Sequence, residues 1–171
     1  MDDQNLPRGV AAPTGSVTVH FDGACQSTEV GTVATFGFTV DGGGFHAEEG
    51  GLCLPPNHAR ATNNVAEYTA AIRALEWLSG QGYEGDVVVQ GDSQLVVRQM
   101  TGEYRVEAEH LVPYHTWLNE LGRRFRSVKY EWVAREENER ADELSKRAVA
   151  DAVLVERERG GKRSRLRPSR P

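Results

Sequence analysis

Cysteine is almost absent. Cys25 and Cys53 are the only two in 171 residues, too few for a disulfide scaffold, and no Cys–His cluster has zinc spacing, so both are expected as free thiols. Long hydrophobic runs are missing, and the opening MDDQNLPRGVAAPTG lacks the basic-then-apolar layout of a secretory signal. Neither a membrane-spanning segment nor export is expected, and the cytoplasm is the expected location. Lysine is scarce, with Lys129, Lys146 and Lys162 against seventeen arginines. No histidine follows His115.

What is present is ordinary for a globular chain: 39% apolar and 26% charged residues, enough for one domain with a real core. The net charge of −5 is unevenly spread. Residues 156–171 carry seven basic side chains against Glu156 and Glu158, a net of +5, which leaves −10 on the other 155 residues. Such an acidic body repels nucleic acid unless metal ions or a local basic patch intervene.

The stretch SVTVHFDGAC alternates, with Val17, Val19 and Phe21 on one side and Thr18, His20 and Asp22 on the other, and predicts a strand over about 16–22 that ends in an Asp-Gly turn. Two further strands flank the glycines of 41–44 as a hairpin. Val65, Tyr68, Ile72, Leu75 and Leu78 recur at helical spacing, and Gly80 and Gly82 stop that helix. GDVVVQGD predicts a fourth strand, SQLVVRQMTG a short helix, 109–126 another, SVKYEWV a fifth strand and NERADELSKRAVADAVLV a closing helix. The resulting order is an α/β arrangement of a five-stranded mixed sheet flanked by helices. Residues 1–15 and the arginine-rich 156–171 are expected to be disordered tails around a domain of 16–155. Trp77, Trp117 and Trp132 sit in apolar patterns and are expected in the core.

Four carboxylates stand out by context. Asp22 closes the first strand, Glu67 lies in the first turn of the long helix, Asp92 follows the fourth strand and Asp142 opens the closing helix. Each has a plain explanation: a turn, a capping box with Asn64, a helix N-cap, an ion pair with Lys146 one turn on. Taken together with their surroundings, the words FDGAC, RATNNVAEYTAA, GDSQLVV and ENERADELSKRA resemble type 1 ribonuclease H, in the family's order and over about 16–155. The resemblance implies the ribonuclease H-like fold, with Asp22, Glu67, Asp92 and Asp142 converging on two magnesium ions. Carboxylates converging to about 4 Å repel by roughly 4 kcal/mol at an effective dielectric near 20. They must capture protons or cations, and hard oxygen donors favour Mg²⁺ or Mn²⁺. Two such ions suit in-line attack on a phosphodiester.

The resemblance further implies an endonuclease that cuts the RNA strand of an RNA–DNA hybrid and leaves 5′-phosphate and 3′-hydroxyl ends. It implies substrate contacts from Arg60, Thr62, Asn63 and Asn64, and supporting or strand contacts from Ser93, Gln94, Asn138 and Arg140. Gly23 is expected to leave room for a ribose-phosphate beside the backbone. Two departures mark an archaeal-like branch. The loop before Asp142, WVAREENERAD, is short and has Arg135 where many relatives carry a histidine, and RQMTGEYRVEAEHLVPY is not the basic protrusion of many bacterial members. A monomer with no protein partner is expected. A silent nucleic-acid-binding module on the same fold, or a metal nuclease with another substrate, are the competing readings.

Overall fold

The computed structural model describes residues 15–165, with the side chains of 161–165 left out. Five strands, β1 (Val17–Thr28), β2 (Gly31–Gly42), β3 (Phe45–Leu52), β4 (Asp86–Gly91) and β5 (Ser127–Trp132), form one sheet in the order β3-β2-β1-β4-β5. The first three are antiparallel neighbours, and β1, β4 and β5 run parallel. Between and after them come α1 (Asn63–Gly80), α2 (Gln94–Met100), α3 (Val112–Gly122) and α4 (Glu139–Arg165). The fold is the mixed α/β sandwich expected from the sequence.

Alternation along β1 decides which helix meets which face. Val17, Val19 and Phe21 are fully buried in one core with Val65, Tyr68, Leu75 and Leu78 of α1. Their neighbours in sequence, including Asp22, therefore face the other side, where α4 lies. α3 packs beside α1 through Leu118 and Leu121. Among the described residues no helix is long and apolar enough to cross a membrane.

Three expectations are corrected. β1 does not end at Asp22 but continues to Thr28, because Gly23 to Thr28 pair with Gly31 to Phe36. The chain reverses at Glu29–Val30 instead, with Gly31 at φ +108°. α4 runs ten residues past Val155, so 156–165 is helix rather than disordered tail. Glu156 pairs with Arg159 one turn on, and Arg157 reaches Glu29 at the β1–β2 turn. Residues 1–14 and 166–171, the rest of the two expected tails, lie outside the described residues. Finally, Trp117 and Trp132 are half exposed (51% and 49%). The buried side of α3 is set by Leu118 and Leu121, which turns Trp117 outward, and Trp132 ends β5 beyond the helical cover. Trp77 alone packs inward, edge-on to Phe45.

Candidate active site

The parallel register of β1 with β4 sets Phe21 beside Gly91, so Asp22 and Asp92 leave the sheet side by side. Glu67 arrives from the helix above. α1 begins at Asn63 with Thr62 as its N-cap, Thr62 Oγ1 accepting the Val65 N–H at 3.2 Å. The expected capping box between Asn64 and Glu67 is therefore not what Glu67 serves. Its Oε2 accepts the Gly23 N–H at 3.1 Å. A Cβ on Gly23 would stand 2.2 Å from Glu67 N and 2.3 Å from Ala66 C. The side-chain position of Gly23 is thus filled by the backbone of α1, while Gly23 itself lines the cleft.

Asp92 is not a helix cap either. Ser93 caps α2, its Oγ accepting the Val96 N–H at 3.3 Å. Asp92 Oδ1 instead accepts from Asn138 Nδ2 at 3.1 Å, whose second proton goes to Phe21 O at 2.9 Å. Asn138 is 1% exposed, so one buried amide ties the loop before α4 to β1 and orients Asp92. Trp132 Nε1 donates to the Asp92 carbonyl at 3.2 Å and holds the same residue from β5.

Asp22, Glu67 and Asp92 each bring a carboxylate oxygen within 4.8 Å of the others. Asp142 stands at the rim. Its two oxygens take Arg135 Nη2 at 3.2 Å and Lys146 Nζ at 2.5 Å, so the ion pair with Lys146 that the sequence suggested is present, and Arg135 adds a second. All four acids, with Arg135, Lys146 and Asn63, line one cleft of roughly 260 Å³. Burial pushes the Asp22 carboxyl up to about 6, helped by Asp92 and Asp142 and opposed by the Ser145 hydroxyl. Burial, then the charges of Asp22 and Asp92, raise Glu67 well above the ordinary carboxylate range, against the Gly23 N–H and the Asn63 side chain. Two carboxyls that resist ionising beside a third are a site short of positive charge. Oxygen-only donors in this number fit a hard divalent ion, Mg²⁺ or Mn²⁺, better than zinc.

The other sequence candidates separate. Asn63 reaches the cleft. Arg60 is exposed in the loop before α1, Thr62 is engaged as a cap, Asn64 is part-buried in the first turn of α1, and Gln94 is exposed at the start of α2. Arg140 is not brought to the acids. It forks onto Glu48 (3.0 and 2.5 Å), pairs with Glu143 at 2.8 Å and lines a separate hollow with His20 and Thr39. Helical spacing explains this, since Asp142 and Arg140 are two residues apart and point to different sides of α4. Arg140→Ala is accordingly expected to leave kcat and KM within about twofold and to cost under about 1 kcal/mol of stability, since its pairs are exposed; steady-state cleavage and thermal melts test this. The sequence reading passed over Ser145 as a site residue and took Lys146 only as a partner of Asp142. Their i+3 and i+4 offsets from Asp142 were the signal that both share its side of the helix.

Comparison with known proteins gives a consistent picture. A family model described as "Reverse transcriptase-like" matches residues 47–148. Ribonuclease HI of Halobacterium salinarum is 38% identical over 138 residues, 81% of this chain and 66% of the relative. The crystal structure of RNase H1 from that archaeon superposes with a TM-score of 0.69 at 37% identity, over 80% of this chain and 99% of that one. LC11-RNase H1, solved with an RNA/DNA hybrid, gives 0.68 at 31% identity, over 80% and 99%. The chain thus spans just under two thirds of the curated halobacterial relative.

Proposed function

The chain belongs to the type 1 ribonuclease H family, and from that premise we propose that it hydrolyses the RNA strand of RNA–DNA hybrids internally, with two divalent ions, Mg²⁺ or Mn²⁺, leaving 5′-phosphate and 3′-hydroxyl ends. The observation that carries this reading is the convergence of Asp22, Glu67 and Asp92 within 4.8 Å, from β1, α1 and the loop after β4. The hybrid bound by the 31% identical LC11-RNase H1 supports the choice of substrate.

Asp22, Glu67 and Asp92 would hold the ions, and Asp142 would complete the set from the rim of the cleft. When bound, the ions supply Lewis-acid stabilisation of charge developing on the phosphate and the acidity that activates the attacking water. The chain's own residues do the rest. Gly23 and Asn138 hold Glu67 and Asp92 at fixed spacing, so little reorganisation is needed at the moment of reaction. Arg135 and Lys146 set positive charge over the cleft. Arginine stays charged at every working pH, so Arg135 steadies the scissile phosphate and moves no proton. Arg60 and Thr62, on the approach to α1, and Asn63 and Asn64, in its first turn, contact the hybrid, whose 2′-hydroxyls distinguish RNA from DNA in the wide minor groove. One chain supplies every acid, and the protein acts as a monomer.

A labelled hybrid, an RNA duplex and a DNA duplex, each with Mg²⁺, Mn²⁺ or EDTA, test the reading. Cleavage confined to the RNA of the hybrid and abolished by EDTA is expected. Hybrid binding without cleavage would favour a silent binding module, and cleavage of duplex DNA would favour another metal nuclease.

The carboxyls also predict a pH signature. A folded-state carboxyl raised above its ordinary 3.8 binds its proton more tightly than the unfolded chain does. Stability from Asp22 is then full at low pH and is lost as pH rises through about 6, a loss on the order of 3 kcal/mol, with Glu67 acting in the same direction. Divalent ions should remove that loss by holding the carboxylates ionised. The rise in Tm on replacing EDTA by Mg²⁺ is therefore expected to grow steadily from pH 5 to about pH 7.5. A Mg²⁺ effect that is flat with pH in calorimetric scans would contradict it.

A further inference from the structure

α4 approaches the sheet closely at Gly37, which puts no side chain between strand and helix. Gly37 on β2 stands opposite Asp22 in the antiparallel register, and a Cβ built there would lie 2.4 Å from Ala141 O and 2.5 Å from Ser145 N. Thr35, fully buried two residues away on the same face of β2, donates its hydroxyl to Ser145 O at 2.7 Å. These two seats press one turn of α4 onto the strand beside Asp22. At that distance a serine, the shortest hydroxyl side chain, reaches across.

Ser145 is completely buried, and its hydroxyl donates to Asp22 Oδ2 while lying 2.9 Å from Asp142 O. One hydroxyl has one proton to give. The ionised carboxylate is the stronger acceptor, and the Asp142 carbonyl belongs to the helical ladder of α4. Oδ2 therefore takes the proton, and this bond stops the carboxylate rotating about its Cβ–Cγ axis. Asp22 is otherwise enclosed at 5% exposure, with the carboxyl groups of Asp92 and Glu67 as its neighbours in the cleft.

We infer that Ser145 is a positioning residue for the divalent-ion site, its hydroxyl presenting the Asp22 carboxylate in a fixed orientation. The inference rests on the metal-site reading above and adds a residue to it. Groups that orient a metal-binding carboxylate typically contribute 10- to 100-fold in metal affinity. A serine serving only to pack the helix would not, since alanine is the better helix former and fills nearly the same space.

The test titrates Mn²⁺ calorimetrically into metal-free protein without nucleic acid, for the parent, Ser145→Ala and Thr35→Val. Ser145→Ala is expected to bind Mn²⁺ about tenfold more weakly. Thr35→Val deletes the 2.7 Å bond that seats the same turn but spares the donor to Asp22; it should bind within about twofold of the parent while losing stability for the unmade bond. In hybrid cleavage, the Mn²⁺ concentration for half-maximal rate should rise about tenfold in Ser145→Ala, with KM for the hybrid unchanged and kcat at saturating Mn²⁺ within about threefold. Unchanged Mn²⁺ affinity in Ser145→Ala, or an equal loss in Thr35→Val, would overturn the inference alone. A parent that binds no Mn²⁺ would overturn the metal-site reading and this inference with it.

Discussion

Asp92→Asn is expected to lower kcat on an RNA–DNA hybrid by about a thousandfold or more, a loss of about 4 kcal/mol of transition-state stabilisation, while the fold stays intact. The asparagine can still present its Oδ1 to Asn138 Nδ2, which now sits at 3.1 Å from the aspartate, and the Trp132 bond goes to the main chain, which the substitution spares. What disappears is one negative charge beside Asp22 and Glu67, both of which it pushes towards protonation. The metal-free Tm should therefore hold or rise by a few degrees. Were Asp92 serving as a helix cap, its loss would cost about 0.5–2 kcal/mol of stability instead, but Ser93 fills that place. Steady-state rates at saturating Mg²⁺, with melts in EDTA, separate the outcomes. Surviving activity together with a lowered Tm would remove Asp92 from the site.

Gly23→Ala should have the largest effect on stability. Its methyl would stand 2.2 Å from Glu67 N and 2.3 Å from Ala66 C, both backbone atoms that cannot swing aside as a side-chain tip can. β1 is held to β2 at this position, Gly23 pairing with Phe36, so α1 must lift. Overpacking of this kind costs about 3 kcal/mol, or roughly 10 °C in Tm for a chain of this size. Lifting α1 also carries Glu67 away from Asp22, and a misplacement near 1 Å can cost on the order of 10²-fold in rate. The expectation drawn from the sequence alone, room for a ribose-phosphate, makes a different forecast, a raised KM with an unchanged Tm. Thermal melts and Michaelis–Menten curves on the same variant decide between the two.

Some of this protein was determined by the sequence itself. Strand and helix periods are local properties, so the alternation of Val17, Val19 and Phe21 and the helical recurrence from Val65 to Leu78 were legible in the chain, as was the order of nine elements. The four carboxylates were legible because each stands in a distinctive word, and three of them do converge. Boundaries and partners were another matter. An Asp-Gly pair reads as a turn wherever strand pairing is invisible, yet Gly23 lies within β1 because β2 continues to pair with it and α1 rests on it. An arginine-rich tail reads as disordered until Glu156 meets Arg159 and Arg157 meets Glu29, 128 residues away. Arg140 and Ser145 flank Asp142 in one helix, and only the direction in which α4 crosses the sheet sends Arg140 to Glu48 and Ser145 to Asp22. Local periodicity is written in neighbouring residues, whereas the choice of partner depends on how closely two backbones approach. Here Gly23 and Gly37, by having no side chain, set that approach on the two faces of the sheet and so build the site around Asp22.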